Sequence, residues 1–457
     1  MDGSTIVEVI KNQRVFFATG QTKDLSFRIE QLKKLKRAII QNEQAIFDAL
    51  RQDLNKHPFE AYGGDIAIVV NEIDYALKHL SSWAKPKRAW TPIAYFPGTS
   101  RIIPEPYGVA LILGPWNFPF QLTLAPLAGA VSAGNCAVLK PSELAPASSR
   151  LLAKIINEHF DPAYLAVVEG DAGTAQMLLA ERSDYIFLTG GQAVGRLVMQ
   201  AAAKYLTPVT LELGGKNPCI VDSDTHLAYT ARRIVWGKFF NAGQSCVAVD
   251  YLLVDKRVKR DLLLQLGASI REFYGPDPAR SPDYGRIINN AHFSRLSGLL
   301  DRGTIVIGGQ TERAGRYIAP TVIDGVTPDD PVMQNEIFGP LLPVVEYDDL
   351  AQAIELINKR PKPLALYVFS RNREVQDRVF RETSSGGGCI NDTVIHQPTT
   401  TLPFGGVGMS GIGKYHGKAS FDTFSHERSV IRSGFLFDIK LRYPPYKDHL
   451  KLLKRIL

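Results

Sequence analysis

The residue best suited to nucleophilic chemistry is Cys246, which closes the segment FFNAGQSC at residues 239–246. A free cysteine is ordinarily a small buried hydrophobe. Here, however, small and polar residues separate an apolar helical pattern from an apolar strand pattern. Gly243 allows backbone to approach a ligand closely, while Gln244 and Ser245 favour a polar, exposed loop. The segment therefore predicts a reactive thiol, which needs a base and an oxyanion donor from elsewhere in the chain.

The composition indicates an ordinary soluble globular protein of two or three domains. The chain has 457 residues, of which 45% are hydrophobic and 22% are charged. Its four cysteines (Cys136, Cys219, Cys246 and Cys389) are widely spaced and form no CxxC pair. This spacing excludes a disulfide framework, disfavours a metal site and is typical of a reducing cytoplasm.

The charge pattern predicts no nucleic-acid partner. The net charge is +7, but the basic residues are scattered and carry no RNA-binding or helix-turn-helix signature. A mildly basic surface also suits anionic cofactors or membranes. No apolar run reaches the roughly 18 residues of a membrane span. The first residues, MDGS, do not begin a secretory signal pattern.

The first hundred residues predict helices followed by an edge ribbon. Helical spacing runs from Ser26 to Arg51 and from about Phe59 to Trp83, with an interruption around residues 63–64. From Ala89 to Pro106 the chain is extended, aromatic and interrupted by prolines, which suits a protruding ribbon of edge strands. Because an edge strand needs a partner, this ribbon predicts a subunit contact, and residues 421–432 could pair with it.

From Gly108 onwards strands and helices alternate, which predicts a parallel, doubly wound sheet. Its predicted strands are Val109–Leu113, Asn135–Leu139, Leu165–Val168, Tyr185–Leu188 and Pro208–Leu213. A second α/β unit follows, with strands at Pro218–Val221, Tyr251–Val254, Ile305–Ile307, Leu341–Val345 and Ala365–Phe369. Residues 403–417 carry six glycines and predict a packed irregular loop. Ligands of such sheets bind beyond the carboxyl ends of the strands, so the turns there should carry the chemistry.

Two of these turns could bind an anionic ligand. The turn TGGQAVG at residues 189–195 lacks the GxGxxG spacing of ordinary dinucleotide folds. We favour a pyrophosphate at the helix N-terminus over the alternative, a helix entry with close packing at Gly195. In KPSE at residues 140–143, Lys140 and Glu143 could engage a ribose, or Ser142 could cap the next helix. The local sequence does not separate these two interpretations.

Five segments, in order, resemble signatures of the aldehyde dehydrogenase superfamily: PWNFP at 115–119, LELGGK at 211–216, GQSC at 243–246, NEIFGP at 335–340 and PFGG at 403–406. The stretches KYLTPVTLELGG at 204–215 and SGIGKYHGKASFDTFSH at 410–426 are most similar to the class 3, fatty-aldehyde branch. The resemblance implies an α/β, aldehyde-dehydrogenase-like fold with two parallel-sheet domains and a protruding oligomerisation ribbon. The implied division is a dinucleotide-binding domain (1–83 and 107–212), a catalytic domain (213–420), a ribbon (84–106 and 421–440) and a tail helix (441–457).

The resemblance also implies catalytic roles. Cys246 would attack an aldehyde to give a thiohemiacetal and then a thioester, and Asn117 would donate to the oxyanion. Glu212 would act as the general base, and Glu336 with Phe338 would position the nicotinamide ribose. Without the resemblance, Asn117 is explained as a turn residue and Glu212 as a solvated charge at a strand end.

The implied cofactor is NAD, with NADP as an alternative because Lys140 could meet a 2′-phosphate. The implied contacts are Lys140, Ser142, Glu143, Gly190, Gly191, Gly195, Leu213, Glu336 and Phe338. The substrate tunnel would be lined by Phe118, Trp236, Ile395 and Phe404, which suits medium or long aliphatic and aromatic aldehydes. The matched segments contain no arginine placed to bind a carboxylate, which disfavours a semialdehyde.

The end of the chain predicts an amphipathic helix. Tyr446, Leu450, Leu453 and Leu457 fall on one face, and Lys447, Lys451, Lys454 and Arg455 fall elsewhere. We favour a helix packed over a homodimer or the tunnel mouth, with weak membrane contact as the alternative. The expected location is cytoplasmic, with membrane association but no span as the alternative.

Two other functions fit part of the pattern. A cysteine-dependent esterase or thioesterase could use Cys246, but it needs a histidine partner that the matched segments do not supply. A catalytically silent structural relative would keep the fold alone. The joint presence of Cys246, Glu212 and Asn117 argues against this second alternative.

Overall fold

The computed structural model describes residues 3–301, 303–436, 438, 442–446 and 449–456. A layer of helices comes first: Gly3–Ala18, Leu25–Gln41, Glu43–Leu54, Pro58–Ala61 and Ala67–Trp83. The single helix predicted for residues 26–51 is wrong, because Asn42 ends one helix and begins the next. The interruption predicted near residues 63–64 is confirmed as one π-helical turn at Tyr62–Ile66.

The first sheet has six strands in the spatial order Gly411–Ile412, Val209–Glu212, Tyr185–Thr189, Val109–Leu113, Cys136–Lys140 and Leu165–Val167. The last five are parallel, which confirms the predicted doubly wound sheet. The antiparallel edge strand lies in the segment predicted to be irregular, so that prediction is wrong at Gly411–Ile412. The sheet is accompanied by the helices Gln121–Ala133, Pro146–His159, Ala172–Ala180 and Gln192–Ala203.

The second sheet has seven strands in the order Thr304–Ile307, Thr321–Asp324, Leu341–Tyr347, Tyr251–Asp255, Pro218–Val221, Ala365–Phe369 and Gly387–Ile390. Thr304–Ile307 is antiparallel to its neighbour and the other pairings are parallel. The strands Thr321–Asp324 and Gly387–Ile390 were not predicted. The helices of this unit are Leu227–Phe239, Lys259–Tyr274, Asn290–Ser297, Leu350–Asn358 and Arg373–Glu382, and Thr311–Glu312 pairs separately with Tyr317–Ile318. One hydrophobic core runs through both sheets and the first helices.

A three-stranded antiparallel ribbon joins distant parts of the chain. Thr99–Pro106 lies between Lys87–Ala89 and Ser425–Arg432. The predicted pairing with the C-terminal segment is confirmed, although residues 421–423 belong to the helix Lys418–Thr423 and the extended part begins only at residue 425.

The chain's last described helix is Leu450–Ile456, shorter than the 441–457 predicted. Lys447 and Leu457 of the predicted tail lie outside the described residues. Within those residues, the helices are too short or too polar for any of them to cross a membrane.

Candidate active site

The loop before Cys246 is held by its own polar side chains. Asn241 and Ala242 adopt left-handed backbone conformations, with φ of 49° and 51°. The Gln244 side chain donates to the carbonyls of Asn241 (3.0 Å) and Arg286 (2.9 Å), and its Oε1 accepts from the Ile288 amide (3.0 Å). Gln244 and Ser245 are therefore buried, and the exposed loop predicted from them is wrong. Their polar atoms bind the protein itself instead of solvent.

Gly243 permits a close approach, but the approaching group is protein. Its φ is 74°, and a Cβ at this position would lie 2.3 Å from the Gly339 carbonyl oxygen. A side chain at residue 243 would thus push residues 239–246, the proposed nucleophile loop, away from the segment 335–340. The glycine therefore allows the loop 239–246 to pack directly against the segment 335–340.

The Cys246 thiol is half-buried in the wall of a cavity. Burial raises the pKa of this thiol, and the nearby carboxyl groups of Glu336 and Glu212 raise it further. The thiol is therefore protonated at neutral pH. Because only the thiolate is strongly nucleophilic, any nucleophilic step at this thiol would need a base.

Glu212 is the last residue of its strand and is only 3% exposed. The solvated strand-end charge considered as an alternative is therefore wrong. Among the described residues, neither carboxyl oxygen has a hydrogen-bond partner. Burial raises the pKa of Glu212 well above its ordinary value. A buried carboxyl group with both oxygens free can accept a proton from a thiol or from water.

Asn117 is buried next to the nucleophile loop. Its Nδ2 donates to the Gln244 carbonyl at 3.1 Å. Its own carbonyl accepts from Asn241 Nδ2 and from Lys56 Nζ, both at 2.9 Å. An amide NH2 group has two N–H donors, so one orients the group on Gln244 and the second is available to a ligand.

Glu336 lies against the first residues after Glu212. A Cβ at Gly214 would be 2.0 Å from Glu336 Oε2, so a side chain there would displace the Glu336 carboxyl group. Burial and then the Asp250 carboxylate raise the pKa of Glu336 to about 8. Glu336 Oε1 is buried and has no partner in the described part of the chain. The adjacent Phe338 has a φ of 49° and packs edge-on against Trp116.

At the edge of the first sheet, Gly191 begins the helix Gln192–Ala203 without a side-chain cap. No described heavy atom lies within 4 Å of its Cβ position, so an anion can reach the free backbone amides. At Gly195 a Cβ would lie 2.9 Å from the Leu213 side chain. Gly195 therefore meets the packing requirement of the alternative interpretation, while Gly191 offers the anion site.

Lys140 and Glu143 form an ion pair at 2.9 Å. The capping alternative for Ser142 is wrong, because the next helix begins at Pro146 and its first free amides donate to the Asp53 carboxylate. The ion pair thus stands clear of the helix start. Together with the open amides and the unpartnered Glu336 oxygen, it fits the hydroxyl and phosphate groups of a dinucleotide.

The cavity beside Cys246 has a volume of about 670 Å³. Its apolar lining includes Ile68, Phe118, Leu122, Trp236, Phe240, Val247, Phe273, Tyr274 and Val394. Of the four residues predicted for the tunnel, Phe118 and Trp236 line this cavity. Phe404 is buried instead against Tyr415 and His416. Ile395 is 49% exposed, and its neighbours Val394 and Gln397 reach the cavity in its place.

Sequence reasoning missed several polar groups around the site. His416 Nδ1 contacts Glu72 Oε1 at 2.7 Å, and its Nε2 lies 3.2 Å from the Gln397 amide of the cavity wall. The ring of Tyr415 stacks on His416. Glu60 also lines the cavity, and burial raises its pKa to about 7. Tyr415 and His416 lie in the segment SGIGKYHG at residues 410–417, whose glycines predict an irregular loop and give no sign of a buried polar contact.

Comparison with known proteins defines the class of this protein. Residues 3–430 match the aldehyde dehydrogenase family. The chain belongs to that family, and it is an oxidoreductase that oxidises aldehydes with a nicotinamide cofactor.

Two relatives and one solved structure are similar to nearly the whole chain. It is 50% identical to 4,4′-diaponeurosporen-aldehyde dehydrogenase of Staphylococcus aureus, over 97% of each chain. It is 48% identical to the dimeric NADP-preferring aldehyde dehydrogenase of Rattus norvegicus, over 97% of this chain and 98% of that one. A substrate-bound structure of Staphylococcus aureus AldH superposes with a TM-score of 0.97 at 49% identity, covering 98% and 99% of the two chains. The predicted family and fold class are confirmed.

Proposed function

We propose that this enzyme converts medium- or long-chain aliphatic or aromatic aldehydes to carboxylic acids through a covalent intermediate on Cys246. The observation that carries this proposal is the cavity of about 670 Å³, whose wall is largely apolar and includes the thiol. Apolar walls favour hydrocarbon chains, and the acidic side chains of Glu60 and Asp283 disfavour a substrate carboxylate.

In the first step Glu212 takes the proton of the Cys246 thiol, and the sulfur adds to the aldehyde carbon. The carbonyl oxygen becomes an oxyanion, which accepts from the free N–H of Asn117 and from the Cys246 backbone amide. The neutral thiol and the partner-free Glu212 oxygens support this assignment. Removal of one oxyanion donor costs about 3–4 kcal/mol of transition-state stabilisation in a measured case.

The second step releases the acid. A nicotinamide, when bound, supplies the hydride acceptor that turns the adduct into a thioester. Glu212 first releases the thiol proton to solvent and then takes a proton from water, while the water oxygen adds to the thioester carbon. The carbon–sulfur bond breaks, and the leaving thiolate takes that proton back from Glu212. Since Glu212 is buried with both oxygens free, one carboxyl group can act in both steps.

For the cofactor we propose NAD, with NADP as the alternative. Gly190, Gly191 and Gly195 would receive the pyrophosphate at the helix start. Lys140, Ser142 and Glu143 would meet the adenosine ribose, and Glu143 favours a free 2′-hydroxyl. Leu213, Glu336 and Phe338 would contact the nicotinamide half. The partner-free Glu336 Oε1 supports this last placement.

We also propose a cytoplasmic homodimer that uses the ribbon. Trp90, Ile93 and Phe96 are exposed there, which favours coverage by a second subunit. The tail helix exposes Leu450 and Leu453, and either the dimer or a membrane surface could cover them. The division into a dinucleotide-binding domain (1–83 and 107–212), a catalytic domain (213–420) and an oligomerisation ribbon (84–106 and 421–440) stays a prediction.

The direct test is a kinetic profile of aldehydes from acetaldehyde to hexadecanal, with benzaldehyde and 4,4′-diaponeurosporen-aldehyde, using NAD and NADP in parallel. We expect kcat/KM to rise with chain length up to about ten carbons and to be higher with NAD. No turnover of any aldehyde while cofactor binds would refute the proposal. Ester hydrolysis in a protein that lacks dehydrogenase activity would favour the hydrolase alternative.

A further inference from the structure

A fully buried ion pair lies beside the proposed oxyanion site but outside the groups assigned to the reaction. Lys56 follows the helix Glu43–Leu54, and Asp65 lies in the π-helical turn Tyr62–Ile66. Lys56 Nζ is 2.7 Å from Asp65 Oδ2, and neither side chain has any solvent exposure.

The Lys56–Asp65 pair makes hydrogen bonds to both ends of the loop of residues 117–121. Lys56 Nζ donates to the Asn117 carbonyl at 2.9 Å. Asp65 Oδ1 accepts from the amides of Phe120 at 3.2 Å and Gln121 at 3.4 Å. Lys56 Nζ also lies 3.8 Å from the centre of the Phe118 ring, which lines the substrate cavity. Residues 117–121 are thus held by charged groups at both ends.

The same contacts reach the nucleophile loop. The Asn117 carbonyl is shared between Lys56 Nζ and Asn241 Nδ2, each at 2.9 Å. Asn117 Nδ2 in turn donates to the Gln244 carbonyl at 3.1 Å. A shift of the Asn117 backbone would therefore move its side-chain amide relative to Cys246.

A buried ion pair is a poor source of net stability, because desolvation offsets most of the attraction between the charges. Its value lies in geometry, since charge-assisted hydrogen bonds are short and strongly directional. This pair makes hydrogen bonds to two backbone amides and one carbonyl of residues 117–121 and so restrains the conformation of that loop.

We propose that Lys56 and Asp65 are positioning residues that orient the Asn117 amide towards the oxyanion of the Cys246 adduct. The inference rests on the proposed function, since it assumes that Asn117 donates to that oxyanion. Lys56 acts through the Asn117 carbonyl, and Asp65 fixes Lys56 and the far end of the loop.

The first test is Lys56→Met, assayed with NAD and decanal. We expect kcat to fall about 100-fold, the scale of a donor displaced by about 1 Å, with the KM for NAD unchanged. Lys36→Met is the matched control, because it breaks a Lys–Asp pair of similar length (Lys36–Asp74, 2.6 Å) on the surface, and its kcat should equal that of the wild type.

The decisive test is coupling to Asn117. If Lys56 acts through Asn117, the variant Lys56→Met/Asn117→Ala should have the same kcat as Asn117→Ala, within about threefold. Multiplied losses would overturn the inference. A purely structural role for Lys56 predicts such multiplication, because general loosening also disturbs Cys246 and Glu212.

The double variant Lys56→Met/Asp65→Leu is the control for misfolding. It replaces both charges with apolar groups and should restore the melting temperature lost in Lys56→Met. Its kcat should stay low, because the Asn117 carbonyl still lacks its charged donor. Recovery of full kcat would refute the positioning role. If Asn117→Ala itself keeps wild-type kcat, the oxyanion assignment in the proposed function fails. A wild-type kcat in Lys56→Met beside a crippled Asn117→Ala refutes the present inference alone.

Discussion

Two regions of the molecule differ in how their polar atoms are paired. The proposed cofactor edge lies around Lys140, Glu143 and Gly191, and the proposed reaction chamber lies around Cys246, Glu212 and Glu336. At the edge, Lys140 and Glu143 pair with each other, and Gly191 is open to solvent. In the chamber, both Glu212 oxygens and one Glu336 oxygen are buried and have no partner among the described residues. Buried polar atoms left unpaired lower stability. The Thr189 hydroxyl at the edge is also buried without a partner among those residues, but the chamber leaves three carboxyl oxygens in that state. The chamber therefore carries the larger folding cost, and the proposed reaction uses the groups responsible.

The largest expected effect is that of Cys246→Ser, which should abolish aldehyde oxidation in the chamber but leave NAD binding at the cofactor edge intact. Cys246→Ser should lower the rate of aldehyde oxidation at least about 10⁴-fold, because a serine hydroxyl is a far weaker nucleophile in the same place. NAD binding, measured by titration calorimetry, should stay within about twofold. Cys389→Ala is the matched control, because that cysteine lies on the strand Gly387–Ile390 and does not line the cavity. Its turnover should be near normal, and turnover retained in Cys246→Ser would contradict the whole assignment.

Glu212→Gln tests whether the chamber trades stability for activity. The rate should fall about 10²- to 10⁴-fold, because the base is lost. The melting temperature should rise by roughly 2 °C or more, since the amide removes a buried group that resists ionisation. Differential scanning calorimetry and steady-state kinetics on the same sample check both. A lower melting temperature would show that Glu212 contributes net stability.

The pH dependence has a defined sign. Burial raises the folded-state pKa of Glu212, so over the interval above its unfolded value of about 4.3 the native state binds more protons than the unfolded state. Stability should therefore fall as pH rises, and less so in Glu212→Gln. The oxidation rate should change in the other direction, by up to about tenfold per pH unit, because the ionised form is the base. Melting curves and initial rates from pH 5 to 9 test both trends. Parallel stability curves for wild type and variant would refute this explanation.

At the cofactor edge the expected effect on activity is smaller. Glu143→Gln should raise the KM for NAD about tenfold, the scale of one hydrogen bond to a charged group. The KM for NADP should not rise, because a negative charge facing the 2′-phosphate is removed. Glu158→Gln on the following helix is the control, as it breaks only a surface pair with Lys154. Equal changes for both cofactors would show that Glu143 does not read the ribose.

The smallest effect concerns the cavity wall. Trp236 lines the cavity and stacks on Phe240, but it is 44% exposed. Trp236→Ala should lower kcat/KM for decanal by about three- to tenfold and leave acetaldehyde unchanged, because only the longer chain reaches this ring. Tyr229→Ala, on the same helix but exposed and stacked on His226, should change neither. A uniform loss for both aldehydes would place Trp236 outside the chain-binding surface.

The sequence predicts most of the first sheet because its strands are uninterrupted apolar runs between helical patterns. It fails where a strand has no such pattern, as in Gly387–Ile390, which is rich in glycine. It also fails where a distant residue supplies a local need. Asp53 provides the helix cap assigned to Ser142, and Glu72 meets His416 from 344 positions away.

The site shows the same limit. The motifs single out Cys246, Glu212 and Asn117, and the structure brings these distant parts of the chain close together in space. Local sequence carries no sign that the loop around Gln244 is buried, because its polar side chains bind carbonyls of residues 42 and 124 positions distant. Lys56 lies between the two predicted helices and Asp65 lies in the second, and in both settings local sequence suggests an ordinary surface charge.

The edge strand Gly411–Ile412 has a consequence for synthesis. It pairs with the strand that ends at Glu212, about 200 residues earlier in the chain. At a translation rate of about 5–20 residues per second, the ribosome needs roughly 10–40 s to deliver that partner. During this interval the edge of the nascent sheet presents unpaired backbone groups to any neighbouring chain. Glu212, the proposed base, is thus among the last groups to reach its final surroundings. Until Gly411–Ile412 is synthesised, the edge of the first sheet lacks the strand that covers it.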